Sequence, residues 1–391
     1  MSQGGVQTSS RARLVERLAA EMGFALVGVA AAEPSEHGEA VRAWIEAGKH
    51  GEMAYLADRL EERLDPQRLL PGARSVIGVA DFYPPEGEGE GAGGDESGVG
   101  AREPACGRVA RYAWGRDYHT VMKKRLHRMA DALASRFPQE QFRCAVDTAP
   151  ILEREHAQRA GLGWCGKHTL LIHPQFGSWM VLGEIVTTLS IQSSAEAGFP
   201  GPTVAPDDHC GTCTRCIDAC PTGCITPHAV DATRCISYLT LEHRSTIDPT
   251  LHEAMGDWVA GCDVCQEVCP FNRMVGGTVE SGEGGGVEGG RRGERPLVRS
   301  DYTPGEIGRG LPLLEVLGWT AEDRQRAFAG SALKRIKLEM LKRNALIAAG
   351  NHLRRHADAE LLRRIEEIAG DADETEMVRL TARQVLDRLA R

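Results

Sequence analysis

Aromatic side chains are scarce: Phe, Trp and Tyr make up 5% of the 391 residues, so a hydrophobic core has to be built mainly from aliphatic groups. No apolar run approaches the ~20 residues that a membrane-spanning helix needs. The first residues also lack a basic stretch leading into an apolar core, so no secretory or twin-arginine leader is expected and the chain reads as cytoplasmic, without a membrane partner. Positive charge is not in excess. With 46 Lys and Arg against 55 Asp and Glu the net charge is −9, which argues against indiscriminate wrapping of nucleic acid. What is present, 42% hydrophobic and 26% charged residues, is globular composition with room for two or three domains, and excludes a disordered or collagen-like chain.

Cysteine is concentrated. Nine of the twelve fall between Cys210 and Cys269, and in a reducing compartment such crowding points to metal or redox chemistry rather than disulfides. Cys210-Gly-Thr-Cys213-Thr-Arg-Cys216-Ile-Asp-Ala-Cys220-Pro221 has the C-x₂-C-x₂-C-x₃-C-P spacing of a bacterial ferredoxin, in which the fourth thiolate ligates the other cluster. Cys262-Asp-Val-Cys265-Gln-Glu-Val-Cys269-Pro270 repeats the tail of that pattern. Its first cysteine is missing, because Val259 stands there, so a ligand has to come from Cys235 or Cys224. Cys224 occupies a position of Cys-Pro-Thr-Gly-x-Ile that usually carries a small apolar residue, and a buried free cysteine behaves as one; Cys235 is therefore assigned. One 4Fe-4S cluster takes Cys210, Cys213, Cys216 and Cys269, the other Cys220, Cys235, Cys262 and Cys265. A zinc site, the competing reading, leaves no role for three successive cysteines and two Cys-Pro tails.

Clusters alone move electrons singly, and a bare ferredoxin needs only ~60 to 80 residues, so the upstream residues have another task. Alternating amphipathic and apolar stretches at 11–22, 24–31, 38–47 and 75–82 suggest an α/β or α+β layer. It continues with a strand at 108–114, a helix at 118–134, a strand at 142–147, a helix at 150–160 and strands at 169–172 and 179–189. Two glycine-rich stretches, 84–107 and 276–299, read as a flexible insertion and a linker. From 311 to 389 the period is helical, in pieces such as 331–349 and 359–369 that resemble stacked helix pairs. The expected division is 1–200, 201–275, 276–299 and 300–391.

The modest net charge conceals two basic runs. Residues 324–364 hold eleven Lys and Arg against three acids, and 108–128 hold seven against Asp117 alone. Each is either a solvated helix face or a phosphate-contacting patch. Gly161, Gly163 and Gly166 have the spacing of a dinucleotide loop, but a helix precedes them where that fold requires a strand.

Four further segments accompany the cysteine run. They are Arg111-Tyr112-Ala-Trp-Gly-Arg-Asp117-Tyr118-His119; Val146-Asp147-Thr148-Ala149-Pro150-Ile-Leu-Glu153; Gly161-Leu-Gly163-Trp164-Cys-Gly166-Lys167; and Arg234-Cys235-Ile-Ser237-Tyr-Leu-Thr240. In this order and spacing they resemble the epoxyqueuosine reductase family, over about 11–272 and again at 331–335 and 343–344. The departures are the two glycine-rich stretches, Cys165 and Cys224. The resemblance implies an α+β multidomain protein: a nitroreductase-like α/β cobalamin domain, a bacterial dicluster ferredoxin-like module, and an all-α HEAT-like repeat for tRNA. It implies a monomeric oxidoreductase that reduces epoxyqueuosine at the tRNA wobble position to queuosine, with cobalamin, two 4Fe-4S clusters and an external one-electron reductant such as a flavodoxin or ferredoxin.

Residue by residue, it implies that Asp147 is the proton donor and touches the cobalamin, which Arg63, Tyr112, Leu171, His173 and Ser237 also line. Arg244 and the helical cations Lys334, Arg335, Lys337, Lys342 and Arg343 would contact RNA, with Arg354 and Arg355 beside them. A carboxylic acid donor requires a raised pKa, so burial has to outweigh the field of the helix expected to follow Asp147. An electron-transfer protein without corrinoid or RNA affinity, and a corrinoid reductive dehalogenase, are the alternatives; the latter commonly carries the twin-arginine leader not seen here.

Overall fold

In the computed structural model, which describes residues 3–84, 105–194, 208–273 and 298–391, the strand Ser75–Phe82 is buried along its whole length. It lies inside a four-stranded antiparallel sheet, between Leu26–Ala31 and Met180–Thr187, with Phe142–Ala145 on the far side of the latter. Side chains alternate across the sheet. Val29, Ile77, Val79 and Ile185 meet Val15 and Leu18 of the helix Gln3–Glu21 and Met122, Leu126 and Leu133 of the helix Tyr118–Arg136. On the opposite face Ala30, Ala80 and Leu182 meet Ala157 and Ala160, at the helix Glu153–Arg159. That helix approaches closely because residue 28 is glycine, where a Cβ would lie 2.2 Å from the Ala160 carbonyl oxygen. Its position matters, because Asp147 lies just upstream of it.

Several expected elements shift. The helix expected at 150–160 begins only at Glu153, since Asp147 to Ile151 form turns closed by Thr148 N–H to Val146 O and Ile151 N–H to Ala149 O. The strand expected at 108–114 is Cys106–Val109 followed by a 3₁₀ turn, Arg111–Ala113. Thus Cys106 and Gly107, expected in the first loop, are part of a strand. The rest of that loop beyond residue 84 and the linker up to 297 lie almost wholly outside the described residues.

The C-terminal segment is not all-α, nor does it stand apart. Leu311–Pro312 pairs antiparallel with Cys106–Val109, whose other edge pairs parallel with Trp258–Ala260. Upstream layer, cysteine segment and C-terminal segment each contribute one strand, and a single core joins Val109, Leu241 and Val259 to Leu333, Leu346, Ile365 and Val385. The helix expected over 331–349 is broken. A 3₁₀ turn, Ala332–Arg335, capped by Ser331, is followed by extended Ile336 and Lys337 before the helix Leu338–Leu353 starts. Arg324 donates to the Lys334 and Ile336 carbonyls at 3.0 and 2.7 Å, satisfying acceptors near the break.

The helix Leu338–Leu353 carries the main clamp onto the cysteine segment. Arg343 is 0% exposed and donates to the carbonyls of Leu239, His243 and Ser245 at 2.6, 2.7 and 2.5 Å. Asn344 donates to Thr240 and Val259 carbonyls, and Asn351 to those of His252 and Gly256. Burial lowers the Arg343 guanidinium to about 10. The expectation that Arg343 contacts RNA is therefore corrected, as its donors are spent inside the protein. Lys342 is corrected likewise: its side chain is 9% exposed and paired with Glu374. Arg343→Ala would leave several buried carbonyls unsatisfied, so it is expected to lower unfolding free energy by about 3 kcal/mol. An unchanged urea midpoint would mean that the clamp carries no stability.

Candidate active site and cluster-binding module

Asp147 has φ of +47°, a left-handed backbone that short polar residues tolerate better than most, and its side chain is 40% exposed. Its carboxylate is held from within. His119 Nε2 lies 3.0 Å from Asp147 Oδ2, while His119 Nδ1 lies 2.8 Å from Asp117 Oδ1. Asp117 also caps the helix Tyr118–Arg136, accepting from the His119 backbone N–H, and its second oxygen accepts from Lys334 Nζ at 2.6 Å. The sequence therefore builds a Lys334, Asp117, His119, Asp147 chain from one helix cap and one C-terminal turn. The Tyr118 ring stacks on His119 with centroids 4.0 Å apart, and its phenol helps to hold the Asp147 carboxyl low.

Behind Asp147 sits a second carboxyl group. The Asp147 backbone N–H donates to Glu153 Oε2 at 3.1 Å. Burial, reinforced by the charges of Asp147 and Glu184, pushes Glu153 up to about 8. Asp147 behaves differently. Burial pushes it up, but the His119 hydrogen bond and charge, with Arg335 and Tyr118, bring it below the usual carboxylate range. This corrects the expectation of a raised Asp147: in this state the proton of the pair resides on Glu153, as expected when adjacent carboxyls have unequal surroundings. His119, Asp117 and Glu153 acquired no role from sequence. The signal was an Asp capping a helix two residues before a His, a common pattern whose partner 28 residues on only the fold reveals.

Arg335 pairs with Glu242 of the cysteine segment at 2.9 Å and also acts on Asp147 and Tyr112. Burial raises the Tyr112 phenol to about 12, so it stays protonated. Arg63 donates weakly to the Ile151 carbonyl, at 3.5 Å, and its Nε is buried without a partner. Ser237 is half-buried. Leu171 and His173 are 2% and 3% exposed, Leu171 beside Ala157 in the core and His173 stacked on Phe176.

Cys210, Cys213, Cys216 and Cys269 line one pocket, flanked by Ile172 and Phe271. Burial raises the thiols of Cys262 and Cys265, and the charge of Cys235 adds to both. The fold thus gathers the first thiol set around one pocket. Soft thiols in fours suit iron–sulfur cubanes. Of the expected RNA contacts, Lys334, Arg335 and Lys337 keep side chains that are 63%, 43% and 54% exposed, and Arg244 is exposed.

The Glu153 shift has a thermodynamic consequence. With a folded pKa raised to about 8 from an ordinary 4.5, the native state holds the extra proton between these values, so stability is present at low pH and lost as pH rises through 8. Glu153→Gln is therefore expected to gain thermal midpoint relative to wild type between about pH 6 and about pH 9. A pH-independent difference would contradict the proton's placement.

A family model described as epoxyqueuosine reductase QueG, DUF1730, matches residues 63–148, and one described as a 4Fe-4S double cluster binding domain matches 209–272. The epoxyqueuosine reductase of Burkholderia pseudomallei (strain K96243) is 38% identical over 375 residues, spanning 90% of this chain and 86% of that protein. That of Synechocystis sp. (strain ATCC 27184 / PCC 6803 / Kazusa) is 41% identical over 326 residues, spanning 82% and 98%. Among solved structures, an epoxyqueuosine reductase with a tRNA-Tyr epoxyqueuosine-modified stem loop superposes with a TM-score of 0.78 at 25% identity, covering 97% of this chain and 90% of that one. On sequence identity over nearly its whole length, the chain belongs to the epoxyqueuosine reductase family.

Proposed function

We propose that this chain reduces epoxyqueuosine in tRNA to queuosine, with Asp147 as proton donor. The observation that carries the proposal is the Asp147 carboxyl: partly exposed, aimed by a left-handed backbone, bonded by His119 and backed by protonated Glu153, with the charge of Arg335, itself paired with Glu242 of the cysteine segment, acting on it. Deoxygenating an epoxide consumes a pair of electrons and a pair of protons and releases water. The paired thiol sets suit the electrons, delivered from an external one-electron reductant. Because Asp147 rests ionised, its role as donor is that of a relay: it passes to the leaving oxygen a proton taken from His119, which Asp117 orients.

Cobalamin, when bound, supplies a strongly reducing or nucleophilic cobalt. The unpartnered buried Arg63 Nε is the kind of donor that an amide-bearing cofactor satisfies, and Arg63, Tyr112 and Ser237 are the residues proposed to hold it. The same reading takes the sheet layer as nitroreductase-like and the last three helices, which pack on one another, as HEAT-like.

Asp147→Asn, with iron and cobalamin retained after anaerobic reconstitution, is expected to lower turnover of epoxyqueuosine-containing tRNA by about 10²- to 10⁴-fold. Wild-type turnover in that variant would end the donor role. For the RNA, the exposed Arg244 and Lys337 are the proposed phosphate contacts to test. Reversing both to Glu is expected to weaken stem-loop binding and to flatten the logarithmic salt slope by about one for each cation removed. An unaltered slope would reduce them to solubility.

A further inference from the structure

Cys224 is a fifth thiol beside a four-thiol set. It is 5% exposed, and its Sγ lies 3.4 Å from Cys220 Sγ. Its backbone is pinned on both sides: Gly223, in a turn with φ of +59°, donates its N–H to the Cys220 carbonyl, and the Asp231 N–H bonds the Cys224 carbonyl at 2.9 Å. The thiol is thus held against its neighbours rather than on a swinging loop.

The three thiols are not equivalent. Cys220 and Cys235 belong to the assigned set of four, and a sulfur that ligates iron has no proton to donate, so at the 3.4 Å Cys220–Cys224 contact only Cys224 can be the donor. Resting on the cluster assignment proposed above, we infer that Cys224 remains a thiol and donates a hydrogen bond to the ligating sulfur of Cys220, raising the reduction potential of the second cluster. A reduced cluster carries one more negative charge than an oxidised one, so a donor at a ligating sulfur stabilises the reduced form more. Because S–H is a weak donor, the effect is modest.

The test uses the full chain, anaerobically reconstituted with iron and sulfide, as wild type, Cys224→Ala and Cys224→Ser, read by iron content and by redox titration followed by electron paramagnetic resonance. Cys224→Ala is expected to keep about eight irons per chain. At fixed potential the reduced-to-oxidised ratio of one cluster falls about threefold, while the other cluster, serving as internal reference, is unchanged. Cys224→Ser, with a stronger donor, keeps or exceeds the wild-type ratio. Identical titrations in wild type and Cys224→Ala overturn the inference. Loss of about half the iron in Cys224→Ala also overturns it, making Cys224 a ligand. A wild type that binds no cluster under these conditions overturns the underlying assignment itself, a result distinguishable from both.

Discussion

The junction made by the strand Cys106–Val109 and the Arg343 guanidinium underlies everything else in the molecule. A four-residue strand with one partner from the cysteine segment and another from the C-terminal segment is too short to be stable alone. It holds because Val259, Leu313 and the helix Leu338–Leu353 close a common aliphatic core around it. Gly107 permits this closure: a Cβ there would stand 2.4 Å from a Val259 methyl. A buried arginine bonded to three carbonyls then locks the helix to the short helix Ile236–Leu241 and the turn after it. With few aromatics available, specificity of docking is delegated to buried polar side chains that only one arrangement satisfies.

That junction determines the chemistry next to it. Because the C-terminal segment is locked, its 3₁₀ turn presents Lys334 to Asp117 and Arg335 to Glu242. Lys334 and His119 keep Asp117 ionised although burial opposes it. An ionised Asp117 orients the His119 ring, and His119 in turn holds Asp147 ionised while Glu153 is neutral. Placement of one proton between two carboxyls thus follows from a contact made by a residue more than 180 positions along the chain.

Regular elements were legible where pattern and burial agree. The all-buried run 75–82 and the helix from Tyr118 appear where apolar periodicity and an Asp cap place them. The break at Ile336–Lys337 was not legible, because Leu333 and Ile336 keep helical spacing while the chain turns extended to bury both, a tertiary override of local preference. The strand Cys106–Val109 was hidden for a related reason: its glycine and its position beside a Gly-rich run mimic a loop, and its partners are about 150 and 200 residues away.

That the cysteine segment is a double cluster module was legible in sequence alone, because three thiols at successive spacing of three stay close together whatever packs around them. Which cations face solvent, and which carboxyl holds the proton, were decided by tertiary structure. A lysine or arginine carries the same charge everywhere in a sequence. Only the fold supplies Arg343 with carbonyls, Lys342 with Glu374 and Asp147 with His119, and electrostatic energy depends on those distances and on how much water is excluded.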